Sequence, residues 1–307
     1  MSAAVAGPAA SGVKIPEGAP AYAAGDRRNR SIIWTKFRRN RLASVSAVMV
    51  LLLVLLAVFA PWIAPHDPLY IDLSHKFAKP GEAGFWLGAD ELGRDVLSRL
   101  LHAGRVSLSV GLITALITVL VGSILGAMAG YYSGAVDAVI MRLVDVLLSM
   151  PTIFLLLALS AFLKPTVFAI TLIIGLNSWM SVARMVRGQV LSIKQQEFII
   201  AAQAMGASDR HLIFRQLLPN ALAPVLVAAT LNVATAILLE SSLSYLGYGI
   251  QPPTASWGNM LNNAQTYVFY APWVAVYPGV MITLTVLSFN FAGDGLRDAL
   301  DPRLTVS

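Results

Sequence analysis

Residues 195–220 read QQEFIIAAQAMGASDRHLIFRQLLPN, and they lie between two long apolar runs of a 307-residue chain. The stretch is too polar to cross a bilayer, because charged side chains are costly in hydrocarbon. It is also too rich in large apolar side chains to be an unstructured linker. We therefore expect a folded connection between two membrane helices.

The residue types in this stretch predict two short helices joined by an elbow. Ala201 and Ala202 favour a helix. Gly206 is a natural left-handed stop for that helix, because it lacks a Cβ atom. Ser208 or Asp209 can then cap the second helix with a side-chain oxygen.

The end of the stretch predicts a return to the membrane. Pro219 disfavours a helical conformation at Leu218, and Asn220 is placed to cap the following membrane helix. Phe214 and Leu217 are expected to remain available to an outside partner. From the residues alone, a docking elbow and a helix pair lying on the membrane are equally good interpretations.

The composition of the whole chain is that of a membrane protein. Hydrophobic residues make up 57% and charged residues only 12%, whereas soluble domains average about 25% charged residues. Backbone groups in hydrocarbon must be satisfied within their own segment, so each apolar run is predicted to be helical. Pro151 should kink the third run. Six runs are present, at 42–64, 107–132, 143–163, 166–183, 221–246 and 272–292.

The distribution of basic residues predicts the orientation in the membrane. With the N-terminus in the cytoplasm, 16 of the 22 Lys and Arg residues fall on the inner side and six on the outer side. Because cytoplasmic loops carry an excess of Lys and Arg, this bias predicts that both termini are cytoplasmic. The net charge of +6 is explained by the same loops, so we expect no binding to nucleic acid.

Several classes of chemistry have no support in the sequence. The chain has no cysteine, which excludes disulfides and thiolate ligands. It has no GxxxxGK[ST] phosphate loop, so we do not expect it to bind ATP by itself. His66, His75 and His102 share the first external loop without metal-ligand spacing. We therefore predict no catalytic, cofactor or metal site, and a subunit that is not an enzyme.

The spacing inside 195–220 resembles the EAA motif of ABC importer permeases. In that family the loop is the coupling helix that docks into a cleft on the ATPase subunit. The residues that match the motif are Ala201, Ala202, Gly206, Leu218 and Pro219. Two positions depart, because the motif glutamate falls on Ile200 and an apolar position falls on Gln216. The resemblance implies an ATPase-coupling set of Ala201, Ala202, Gly206, Ser208, Asp209, Phe214, Leu217, Leu218 and Pro219.

Three further stretches, 87–101, 240–261 and 290–303, are similar to the peptide and nickel branch of the same family. This resemblance implies an all-α, polytopic protein with six transmembrane helices and a type I ABC importer permease (MetI-like) core. The implied partners are a second homologous permease, two ABC ATPase subunits, a periplasmic substrate-binding protein and a peptide substrate, within membrane lipid of the inner membrane.

The implied cargo is a di- or oligopeptide, with nickel chelates and glutathione-like peptides as alternatives. A secondary transporter or channel is the alternative from another class. It would require coupling carboxylates near the middle of the membrane or an inverted repeat. A membrane scaffold without transport is a third interpretation, and an organised coupling loop argues against it.

The expected domain organisation follows from the runs and the resemblance. It consists of a disordered basic cytoplasmic tail (1–41), a peripheral first transmembrane helix (42–64), a periplasmic loop with an amphipathic helix (65–106), a transmembrane core (107–292) that contains the coupling loop (195–219), and a cytoplasmic C-terminal tail (293–307).

Two more features are singled out by their position. In 87–101, apolar residues form one stripe and Arg94, Asp95 and Arg99 the other, which predicts a helix at the external membrane face. It would be either a simple interfacial helix, or a docking surface for the binding protein or a lining of the external gate. Glu240 is the acidic residue deepest in an apolar run. It is expected to face the bundle interior or a water-filled cavity. It would then hydrogen-bond neighbouring helices or sit at the external interface, or it would line the pathway or gate. Trp257 is expected to be an interfacial anchor.

Overall fold

The computed structural model describes residues 34–300. Within that range the chain is helical, with no strand longer than an isolated bridge between Ala89 and Asp95. We label the main helices α1 (Arg41–Val58), α2 (Val96–Tyr132), α3 (Gly134–Leu148), α4 (Thr152–Phe162), α5 (Val167–Lys194), α6 (Glu197–Ala204), α7 (Leu222–Tyr245), α8 (Trp257–Ala264) and α9 (Trp273–Leu300). Of the N-terminal tail predicted at residues 1–41, residues 1–33 lie outside the described range. Residues 301–307 of the predicted C-terminal tail also lie outside it.

Five of these helices, α1, α2, α5, α7 and α9, are long and apolar enough to cross a membrane. The sixth predicted span is the pair α3 and α4, which bend by 90° at a short break. Pro151 lies in that break and precedes α4. The proline therefore does more than kink the third run: it divides it into two helices. Counting the pair as one span gives the six that the sequence predicts.

Several helices extend beyond the apolar runs from which they were predicted. Helix α2 begins at Val96, where the Asp95 carboxylate accepts a hydrogen bond from the Ser98 amide at 2.8 Å. Helix α5 continues to Lys194 and α9 to Leu300. Hydropathy marks only the part of a helix that suits hydrocarbon, whereas capping and packing decide where the helix ends.

Glycines let α2 and α5 lie against each other along much of their length. A Cβ atom at Gly126 would lie 2.4 Å from the Ala183 carbonyl oxygen, and one at Gly122 would lie 2.7 Å from Val182. Gly122 and Gly126 are four residues apart, so both lie on the face of α2 that meets α5. Small residues at this spacing allow close backbone approach between membrane helices.

Helix α1 lies on the outside of the bundle, where it packs on α9 and α2. Many of its large apolar side chains are exposed, including Leu51 and Val48. The interior of the bundle is built mainly by α2, α5, α7 and α9. This arrangement agrees with a peripheral first helix.

The charged stripe predicted in 87–101 does not face solvent. Arg94 is 5% exposed and Arg99 is 1% exposed. Arg94 pairs with Asp90 through Nε and Oδ2 at 2.7 Å, and the Arg99 Nε atom lies 3.3 Å from the same oxygen. The expected interfacial helix is therefore wrong. The segment before Val96 is a loop folded around a buried ion cluster, and the rest is the first part of α2.

Candidate functional site

The 195–220 connection folds as the elbow that its residues predict, and it begins with α6. Gly206 has φ +81°. Its amide bonds to the Gln203 carbonyl at 2.9 Å, while the Ala207 amide bonds to the Ala202 carbonyl at 3.0 Å. This pattern is a Schellman motif, which needs a residue in the left-handed conformation after the helix.

The second half of the elbow begins at the predicted cap. The Ser208 hydroxyl accepts a hydrogen bond from the His211 amide at 3.4 Å, so Ser208 is the cap and Asp209 is the first helical residue. The chain then forms a π-helix over Leu212–Leu217. Turns of this kind are rare and recur at functional sites.

Two details at the end of the elbow differ from the sequence expectations. Leu218 is helical, with φ −61° and ψ −44°, although Pro219 follows it. Its amide bonds to the Ile213 carbonyl, five residues back, and this wider turn accommodates the proline. Asn220 does not cap α7, because its Nδ2 atom donates to the Gln216 carbonyl within the preceding turn.

Leu217 also differs from its prediction, since it is fully buried and unavailable to a partner. It belongs to an apolar cluster that joins the elbow to the ends of α2 and α5. Phe214, by contrast, is 52% exposed. The elbow therefore has a buried face fixed to the bundle, and it also carries exposed large apolar side chains, which are Phe198, Ile200, Met205 and Phe214.

The coupling set is spread over both faces of the elbow. Ala202 and Leu217 are buried and Leu218 is partly buried. The exposed members of the set are Ala201, Gly206, Ser208, Asp209, Phe214 and Pro219.

Tyr131, at the end of α2, contacts the elbow and was not singled out from the sequence. Its hydroxyl donates to the Asp209 carboxylate at 2.6 Å. The Lys194 ammonium group donates to the Tyr131 carbonyl at 2.6 Å and lies 5.3 Å from the centre of the Tyr131 ring. Residues 131, 194 and 209 are far apart in the sequence, so no local pattern signals this contact.

Glu240 lies in the interior, as predicted. It is completely buried in α7. Its Oε1 atom accepts from the Ser244 hydroxyl at 2.7 Å, and its Oε2 atom accepts from the Ser107 hydroxyl of α2 at 3.3 Å. Those hydroxyls accept in turn from the amides of Ile250 and Trp257, at 3.0 and 3.2 Å.

Trp257 is also interior, which contradicts its expected role as an interfacial anchor. Its side chain is 1% exposed, and its indole nitrogen donates to the Leu100 carbonyl at 3.1 Å. Trp257 lies at the end of the 247–257 segment, and its backbone amide donates to Ser107 of α2, which in turn donates to Glu240. These bonds hold the segment, and with it the indole, against α2. The aromatic side chain is therefore part of the packing that holds this loop.

Comparison with known proteins identifies the family. The family model described as "Binding-protein-dependent transport system inner membrane component" matches residues 122–306. The chain belongs to this family of ABC importer permeases. A second model, "N-terminal TM domain of oligopeptide transport permease C", matches residues 30–80 and places the permease in the peptide class.

The permease is similar to several curated relatives. It is 43% identical to the glutathione transport system permease protein GsiD of Escherichia coli O6:K15:H31 (strain 536 / UPEC), over 272 residues that cover 88% of this chain and 89% of the relative. It is 44% identical, with the same coverage, to the protein of that name from Shigella flexneri serotype 5b (strain 8401).

A solved structure shares the fold. A chain of the inward-facing MetNI methionine ABC transporter, in the CY5 native crystal form, superposes with a TM-score of 0.54 at 22% identity. The match covers 66% of the permease and 96% of that chain. Family membership implies a multi-pass inner-membrane subunit that works with a second permease, ATPases and a substrate-binding protein.

Proposed function

We propose that the permease forms half of a translocation pathway for di- or oligopeptides, including glutathione-like tripeptides. The observation that carries this proposal is the 43% identity to a glutathione permease over nearly the whole chain. Nickel chelates are the alternative cargo. ATP hydrolysis is assigned to the partner subunits, because the sequence of the permease has no phosphate loop.

Uptake assays test the cargo. The complete importer, with its own binding protein, would be expressed in cells without other peptide importers. Labelled glutathione, a labelled dipeptide and radioactive nickel would then be supplied separately. ATP-dependent uptake of either peptide supports the proposal, whereas uptake of nickel alone would overturn it.

The elbow of residues 195–220 is the proposed docking surface for an ATPase subunit. Its support is the set of exposed apolar side chains, of which Met205 is 82% exposed and Phe214 is 52% exposed. Exposed apolar side chains of this kind, gathered on one polar connection, are typical of a protein interface. We expect Phe214→Asp to abolish copurification of the ATPase while the two permeases stay together. Phe269→Asp, at a fully exposed site on another loop, is the control. Equal ATPase recovery from both variants would refute the docking surface.

The proposed orientation has both termini in the cytoplasm. It follows from the bias of basic residues. The absence of cysteine from the sequence makes single-cysteine labelling clean. Met205→Cys should react with an impermeant thiol reagent only after the membrane is opened, and Phe269→Cys should react in intact cells. Labelling of Met205→Cys in intact cells would show that the elbow faces the outside and would refute this topology.

A further inference from the structure

Two neighbouring cavities near the start of α2 share Arg105 and Ser109 in their walls. The larger has a volume of about 500 Å³ and lies between α2, the loop around Pro68 and the loop around Thr254. The smaller has a volume of about 250 Å³ and lies between α1 and α2. The two shared residues make them adjoining parts of one crevice. Its larger part is within the range of roughly 300–1,000 Å³ that is usual for ligand sites.

Arg105 is the cationic group of the crevice, and it lines both cavities. Arg105 is exposed, and among residues 34–300 no carboxylate lies within salt-bridge distance of it. His102 also lines the larger cavity, and its Nδ1 atom is 2.9 Å from the Ser98 carbonyl. That bond makes Nδ1 the donor, so Nε2 of the neutral imidazole is an acceptor that suits a head-group hydroxyl. This end of the crevice suits an anion.

Apart from Arg105 and Ser109, the smaller cavity is lined by apolar residues. Its walls include Val54 and Val58 of α1 and Leu112 of α2. Val58 is 52% exposed and Leu112 is 46% exposed, so the crevice is open along the side of the bundle. A water-soluble anion would leave these side chains uncovered, whereas a hydrocarbon chain would cover them.

The position of the crevice along the bundle agrees with the head-group region of a membrane. Phe59 is 46% exposed and Trp62 is 76% exposed, directly after the end of α1. Exposed aromatic residues of this kind are enriched at the boundary between membrane and water. Because Val58 and Arg105 line one cavity, the arginine lies at that same boundary, where lipid phosphates are found.

We propose that this crevice binds one anionic phospholipid, with its phosphate on Arg105 and one acyl chain between α1 and α2. Basic pockets between transmembrane helices are known to receive anionic head groups. The site would hold the peripheral helix α1 against α2 through a shared lipid. It is separate from the elbow, and its wall at residues 253–255 belongs to the 247–257 segment that the Glu240 network holds.

Native mass spectrometry of the purified importer complex tests the site. The complex would be titrated with phosphatidylglycerol and, separately, with phosphatidylcholine. We expect tighter binding of phosphatidylglycerol to the unchanged complex. Arg105→Ala should weaken that binding about tenfold, the usual effect of losing one charge-assisted hydrogen bond. Arg105→Lys should keep most of it, because lysine also binds phosphate as a point charge.

Two further variants separate charge from shape. Arg142→Ala removes an exposed arginine of α3 that does not line the crevice, and it should bind phosphatidylglycerol normally. Val58→Trp fills the apolar part from an exposed position without changing charge, and it should weaken lipid binding even if Arg105→Ala does not assemble.

Two results would overturn the proposal. One is binding of phosphatidylglycerol by Arg105→Ala and Val58→Trp as tightly as by the unchanged complex. The other is full displacement of the lipid by inorganic phosphate or by a soluble tripeptide at millimolar concentration, which would make the crevice a site for soluble anions.

Discussion

Replacement of Glu240 by alanine should destabilise the permease through the loss of one hydrogen-bond network. The carboxylate accepts from Ser244 and Ser107, and each serine also accepts from a backbone amide of the 247–257 segment. Alanine would leave two buried hydroxyl groups without an acceptor, which costs about 1–3 kcal/mol for each group that finds no other partner. It would also open a cavity in a fully buried site. Since truncation of large buried side chains costs roughly 2–5 kcal/mol, we expect a total loss of at least about 4 kcal/mol.

Glutamine at the same position should be tolerated. It keeps the shape of the side chain and one acceptor oxygen, and the serine hydroxyls can rotate to meet its amide group. We expect a loss under about 1.5 kcal/mol, the usual value of one net hydrogen bond. Uptake by Glu240→Gln should then remain close to normal, because the proposed role is to hold the 247–257 loop on α2 and α7.

Two assays test this prediction. The thermal stability of the purified complex is measured by size-exclusion chromatography after heating, and uptake is measured in cells. Glu82→Ala, which removes an exposed carboxylate in the loop before α2, is the matched control and should change little. Equal stability of Glu240→Ala and the unchanged complex would refute the structural reasoning. If both Glu240 variants assemble normally and both lose uptake, the negative charge acts in transport instead.

Three other changes test separate parts of the fold. Gly206→Val forces a β-branched residue into a left-handed turn at a cost of about 1–2 kcal/mol. Transport and ATPase copurification should fall, whereas Gly188→Ala, in open space on α5, should leave both unchanged. Gly126→Val should prevent assembly, because its Cβ would overlap the α5 backbone; normal yield would contradict that packing. Asp137→Arg should lower yield by breaking the ion pair with Arg187, and the double exchange Asp137→Arg with Arg187→Asp should restore it; no restoration would mean that the pair does not hold α3 to α5.

Local chemistry made the elbow predictable. The left-handed turn at Gly206 and the cap at Ser208 depend on residues within three or four positions, and both are found in the structure. The effect of Pro219 was not predictable, because it depends on the π-helical turn that precedes it. The burial of Leu217 was missed for a related reason, since the face that a short helix buries depends on the helices against which it packs.

The buried ion cluster of the loop before α2 shows a second limit of sequence reasoning. Arg94 and Arg99 look like the polar side of an amphipathic helix, because periodicity treats every charge as a solvent-exposed group. Here both arginines share the Asp90 carboxylate out of contact with water. Burial of charge is tolerated only with partners in good geometry. Such a cluster needs a folded loop, and nothing in the period of the sequence indicates that the loop folds inward.

The contacts of Tyr131 connect the proposed docking elbow to the ends of α2 and α5. The elbow shares an apolar cluster with α2 and α5, and the Tyr131 hydroxyl bonds to Asp209 in its second half. The same tyrosine is held by Lys194, the last residue of α5. Since close-packed interiors transmit displacement instead of absorbing it, a movement imposed on the elbow would reach the ends of α2 and α5 together. Those two helices are also the pair that Gly122 and Gly126 bring into direct backbone contact, so they would move as one unit.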